Sequence, residues 1–223
     1  MAGLKDIKLK PKLTGLFLLA GLIPLVVIAW LSVGIAGEGL VHEVKMELEA
    51  VREIKKAQVE SFFKERLGDT EVLGKMPNII GAVEELTSLA REAKTNGFYG
   101  GKRLLEYPPY KKAFDKYVAF LEYYQKTYDY YDIFIFSHDR GTILLSVELE
   151  DDFGTDMNRE KTHLADAWKK MKETRGTVIT DMKRYAPSKD APAIFVVAPV
   201  EKNGEFIGAA GVQISIEAIN DIM

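Results

Sequence analysis

Few residues in this chain are of a kind that does chemistry. Its 223 residues include three histidines and no cysteine. Without cysteine there can be no disulfide, thiolate catalysis, Cys-ligated zinc or covalent haem attachment. His42, His138 and His163 are scattered, with no HExxH or two-His-one-carboxylate spacing around them, so no metal centre is expected. Glu148, Glu150, Asp151 and Asp152 carry oxygens of the kind calcium uses. They lack the DxDxDG order of a calcium loop and read as a solvated acidic loop. Ser137-His138-Asp139 are contiguous, whereas a catalytic triad is assembled in space from distant segments, so they read as a turn. There is no GxSxG, GxxxxGK or GxGxxG. Neither an enzyme nor a bound cofactor is expected. What remains are polar residues set among apolar runs: Ser146, Thr180 and Asp181, then Tyr185 in a proline-punctuated loop. Such residues suit either a pocket for a small polar ligand or a solvated sheet edge. With Tyr131 and Trp168 they form the candidate ligand-binding set.

Those residues need elements to position them. Tyr130 to Val147 holds two apolar runs, Ile133–Phe136 and Thr142–Val147, around a short glycine-containing connection, and so predicts a β-hairpin. Thr162 to Glu173 predicts a short helix that Gly176 stops, with Leu164, Ala167, Trp168 and Met171 on its apolar face. Thr177–Met182, Ala193–Val200 and Phe206–Ile216 read as three further strands. Lys183–Pro192 reads as a loop between the first two, and Asn203-Gly204 as a hairpin turn between the last two. Before the hairpin the chain is helical. Ile79–Lys94 and Tyr110–Tyr128 form two helices, and the aromatic face of the second is expected to pack on the sheet. The predicted class is α+β: a long helix followed by a domain with a five-stranded antiparallel sheet.

The N-terminal part differs in kind. Residues 1–12 carry four lysines against one acid, and Leu13–Ala36 has no charged residue. Those 24 positions span about 36 Å as a helix, enough for a hydrocarbon core of about 30 Å. The run is too long for a cleaved signal and reads as a retained anchor. The lysines set residues 1–12 in the cytoplasm and the remainder outside an inner membrane, in a single pass. From residue 37 the helix turns amphipathic through Leu40, Val44, Leu48, Val51, Val59 and Phe62, a stripe suited to a homodimer. The expected divisions are 1–12, the span 13–36, helices over 37–128, the sheet domain 129–216, and 217–223 as a linker or the start of another module. A net charge of −3, with no basic cluster after residue 12, argues against a nucleic-acid partner.

Several stretches carry a resemblance. KPKLTGLFLLAGLIPLVVIAWLS, then AVREIKKAQVESFFKERLGDTEVL with its REIKKxQVE pattern, is similar to the first span and following helix of bacterial methyl-accepting chemotaxis receptors. YYDIFIFSHDRGTILLSVELEDDFGTDM, ITDMKRYAPSKDAPAIFVVAPV and IGAAGVQISIEAINDIM are similar to their extracytoplasmic Cache (PAS-like) sensor. The resemblance implies a sensor for a small molecule, or for a binding protein carrying one, that signals across the membrane. NREKTHLADAWKK lacks the RxWY-type motif of the amino-acid-binding variant, so the ligand class does not carry over. The 223 residues hold no second span, HAMP linker or methylated coiled coil, and so contain no output of their own. The alternatives are a structural or partner-binding protein, and the input module of a sensor kinase or cyclic-dinucleotide enzyme.

Overall fold

The structure is a computed structural model that describes residues 8–222, apart from the side chain of Glu38. Residues 1–7 of the start assigned above to the cytoplasm, Lys5 among them, therefore lie outside the described residues, as does Met223. The chain divides into two compact units, Met1–Lys56 and Ala57–Met223.

In the first unit the described residues are helical, as part of α1 (Leu9–Lys75), which carries Pro24 within it. An 18-residue window of this helix has a mean hydropathy of 2.6 and none of it is buried, so it is long and apolar enough to cross a membrane.

The second unit begins with the rest of α1. Met76-Pro77 ends that helix: proline cannot donate to the preceding turn and restarts the chain as the first residue of α2 (Pro77–Thr95). Helix α2 buries Ile79, Ala82, Val83 and Leu86, spaced i, i+3, i+4, i+7 along one face. A short 3-10 helix, Gly101–Glu106, leads to α3 (Pro108–Tyr128). Its buried Tyr110, Phe114, Leu121 and Tyr124 join the core, as expected of its aromatic face. The Tyr110 hydroxyl donates to Leu144 O across 2.5 Å, satisfying the polar end of a wholly buried ring.

The sheet has six strands: β1 (Asp132–Ser137), β2 (Ile143–Ser146), β3 (Val178–Ile179), β4 (Lys183–Tyr185), β5 (Ala191–Lys202) and β6 (Glu205–Ser215). All pairings are antiparallel, in the order β2-β1-β6-β5-β3, and β4 also pairs with β5. The expected count of five strands is thus corrected to six. Lys183–Tyr185 pairs with Ala191–Ala193 through a turn whose left-handed residues are Lys189 and Asp190. With no glycine at those positions, the turn carried no hairpin signal. Asn203 and Gly204, both at positive φ, form the predicted two-residue turn between β5 and β6. Helix α4 (His163–Thr174) is capped by Thr162, whose hydroxyl accepts from Ala165 N. It ends at Arg175 in the left-handed conformation, one residue before the expected Gly176. The Arg175 guanidinium lies 3.9 Å from the Phe206 ring, a contact that offsets the strain of a non-glycine cap. Helix α5 (Ile216–Asn220) closes the chain with a Ser215 cap.

Paired residues on antiparallel strands share a face, so register assigns the two sides of the sheet. Ser137, Ile135 and Ile133 pair with Gly208, Ala210 and Val212. A side chain at Gly208 would meet Val83, so α2 covers this face. The opposite face carries Asp132, Phe134 and Phe136 with Gln213, Gly211 and Ala209, and then Phe195, against which His163 of α4 packs. The functional candidates lie on the second face.

Candidate functional site

Asp132 opens β1 and is wholly buried. Its Oδ1 accepts from Ile133 N at 2.6 Å, Val147 N at 2.8 Å and Glu148 N at 3.2 Å, and its Oδ2 accepts from the Ser146 hydroxyl at 2.7 Å. This carboxyl holds the end of β2 and the start of the Glu148–Glu160 loop against the sheet. Burial pushes it up to about 8, against the hydrogen bonds from Ser146, Glu148 N and Ile133 N that favour its charge; the nearby Asp152 pushes in the same direction as burial.

From Asp132 a polar cluster spreads across the face. Gln213, its register partner, donates through Nε2 to Ser188 Oγ, which donates to Glu150 Oε2 at 2.6 Å. The Tyr131 hydroxyl donates to Glu150 Oε1 at 2.8 Å, and burial with this bond pushes the phenol up to about 12. The Tyr185 hydroxyl donates to Asp152 Oδ2 at 2.7 Å. Burial and the neighbouring carboxylates push that phenol well above its ordinary range. Burial likewise pushes Asp152 up to about 6, despite the Tyr185 bond, and Glu150 adds to the rise. Two buried oxygens of the cluster, Asp152 Oδ1 and Gln213 Oε1, receive no hydrogen bond among the described residues. Both are acceptors. Among the described residues no lysine or arginine donates to the cluster's side chains.

A cavity of about 320 Å³ opens beside Asp152 and Tyr185. Asp151, Asp152 and Glu160 line it, with Thr155, Thr162 and Met157 and no cationic side chain. Its size lies within the range of small-ligand pockets. Its charge favours a cation, and one of its lining residues, Asp152, carries a buried acceptor that lacks a donor among the described residues. Among the described residues no group of three ligating side chains is disposed to hold a metal ion.

The candidate set divides in this structure. Tyr185, Ser146 and Tyr131 belong to the cluster, the first two buried and the third about one-third exposed. Thr180 extends the sheet edge: its N–H donates to Phe195 O, and its hydroxyl accepts from Phe195 N. Asp181 is exposed, outside the cluster. Trp168 is fully buried beneath Gly141, with its Nε1 unpartnered. Sequence reasoning missed Asp132 and Gln213, and Asp152 was read as solvated loop. The signal for the first two was a single polar residue in an otherwise apolar buried run, DIFIF and GVQI. Asp152 had no such signal, because only tertiary packing buries that loop.

No protein-family profile matches the chain, and no curated protein matches it. Solved structures do. The chain is similar to the sensor domain of the V. cholerae histidine kinase DctB, with a TM-score of 0.54, 12% identity, and coverage of 79% of this chain and 57% of that one. It is also similar to the ligand-binding domain of Pseudomonas fluorescens chemoreceptor CtaA in complex with L-serine (TM-score 0.42, 12% identity, 76% and 58% covered). A third is that of Pseudomonas aeruginosa PAO1 amino acid chemoreceptor PctC in complex with GABA (0.40, 14%, 76% and 60%). The first shares the α+β fold; the other two fall below a TM-score of one half and carry no argument. The chain spans less than two thirds of the length of each. What the first comparison shows is the fold alone, shared with a domain of a histidine kinase.

Proposed function

We propose that the chain is the ligand-sensing part of a membrane-anchored signal transducer of the chemoreceptor type, a binder rather than a catalyst. We infer that its ligand is a small molecule bearing an ammonium group. The observation that carries this reading is the acid-lined cavity beside Asp152, whose Oδ1 is a buried acceptor with no donor among the described residues, next to a cluster without cations. An ammonium group supplies donors and no acceptor, and matches that deficit. The apolar part of α1 supports anchorage in a membrane, and the shared sensor fold supports the receptor role. The likeness to DctB favours one second reading, the input module of a sensor kinase. Leu40, Val44, Leu48, Val51 and Ile54 are exposed at spacings of three and four, which supports pairing with a second copy.

The test is a thermal-shift screen of the full chain in detergent with amines, amino acids, organic acids and purines. Amine-bearing compounds are expected to raise the melting temperature. Asp152→Asn should weaken their binding about thirtyfold or more, the effect of removing one partner of a buried charge pair. A shift from organic acids alone would sink the reading. The pH dependence follows from the apo carboxyl at about 6, which must lose its proton to take the ammonium. Affinity should therefore be flat above that value and fall about tenfold per unit below it. Titration calorimetry from pH 5 to 8 checks this.

A further inference from the structure

A second cavity, of about 380 Å³, shares no lining residue with the acidic one and has the opposite charge. Its walls are the second half of α2, the segment after it, the β1–β2 turn and the loop from Gly154 to Arg159. Four cationic side chains line it, Arg91, Lys94, Arg140 and Arg159, against two carboxylates, Asp139 and Asp156. Asp139 is turned into its own loop, accepting from the Ser137 hydroxyl and Arg140 N, both at 2.8 Å. Asp156 faces Arg140 at 3.6 Å and Arg159 at 3.7 Å, too far for a hydrogen bond to either. Arg91 and Lys94 lie one turn apart on α2, and among the described residues neither has a carboxylate within ion-pair distance. An independent feature points into the same space. Thr87, 9% exposed, lines the cavity one turn before Arg91, and its hydroxyl is buried without a partner.

We propose that this cavity is a second ligand site, for a small doubly charged oxyanion, either a phosphate or a dicarboxylate. The four cations exceed the two carboxylates by two, which sets the charge of the ligand. Guanidinium groups pair bidentately with both kinds of oxyanion. The Thr87 hydroxyl supplies a neutral donor at the apolar wall made by Leu104 and Leu144. The proposal does not rest on the amine reading, since the two cavities draw on different residues.

The test is titration calorimetry of the full chain in detergent at low salt, with inorganic phosphate and with malonate as separate probes. One of them is expected to saturate a single site, and which one identifies the oxyanion. The double variant Arg91→Gln/Lys94→Gln should weaken that binding by about tenfold or more. Thr87→Val should weaken it severalfold with no loss of melting temperature. Asp156→Asn removes the competing charge and should tighten binding, a gain that misfolding cannot imitate. Asp152→Asn should leave it unchanged. Saturation by neither anion, full binding by the double variant, or weaker binding by Asp156→Asn would each overturn the proposal.

Discussion

Asp132→Ala is expected to destabilise the sheet unit by about 3–5 kcal/mol at pH 5, the largest loss among single substitutions considered. Three backbone N–H groups, that of the buried Ile133 among them, and the Ser146 hydroxyl would lose their acceptor together, and alanine offers none in return. The N–H of Val147 keeps a longer bond to Ile133 O at 3.3 Å. Asp132→Asn keeps an oxygen acceptor and should lose far less. It should also change the pH response. In the folded chain the Asp132 carboxyl is raised from the model-peptide value of 3.8 to about 8, so the folded state holds the proton more tightly than the unfolded state. Its contribution to stability is complete below the unfolded value and declines as pH rises through the folded one, by at most about 1.4 kcal/mol per unit. Wild-type stability should therefore fall between pH 5 and 8, and that of Asp132→Asn should fall less steeply. Urea unfolding followed through Trp168 fluorescence checks both. A wild-type curve that rises over this range would exclude a protonated Asp132.

Gly141→Ala is expected to destabilise by about 3 kcal/mol, with the urea m-value unchanged. Gly141 sits at φ +69°, where a side chain is strained. An added Cβ would also lie 2.4 Å from the Trp168 ring, which is fully buried and cannot move aside. A control separates the two effects. Gly204 has φ +81° with open space around it, so Gly204→Ala carries the conformational strain alone and should lose about 1 kcal/mol. Equal losses at the two positions would show that the Trp168 contact is soft.

The β1–β2 hairpin, the Asn203-Gly204 turn and the helical segments before the sheet were legible because each is specified locally. Alternating apolar runs, a turn dipeptide and a 3.6-residue period act over a few positions. Strand β4 was not legible, because non-glycine residues at positive φ are held there only by pairing with β5. The same division runs through the candidate site. Tyr185 and Ser146 could be picked out as polar residues among apolar ones, and the fold joins both to the carboxyl cluster. Asp181 had the same local signature, and the structure leaves it exposed at the sheet edge.

By itself the sequence determined that this protein has an apolar N-terminal helix long enough for a membrane, followed by an α+β fold without cysteine or a recognisable catalytic motif. Those properties follow from composition and periodicity, which act along the chain. Only the tertiary structure decided which acids lose their water. Asp152 and Asp151 are adjacent in the sequence, yet the first is 5% exposed and bonded to Tyr185 while the second is exposed. Desolvation depends on what the rest of the chain places around a group. Packing made a loop read as solvated part of the lining of the acidic cavity, and gathered four cations around the cavity beside the β1–β2 turn.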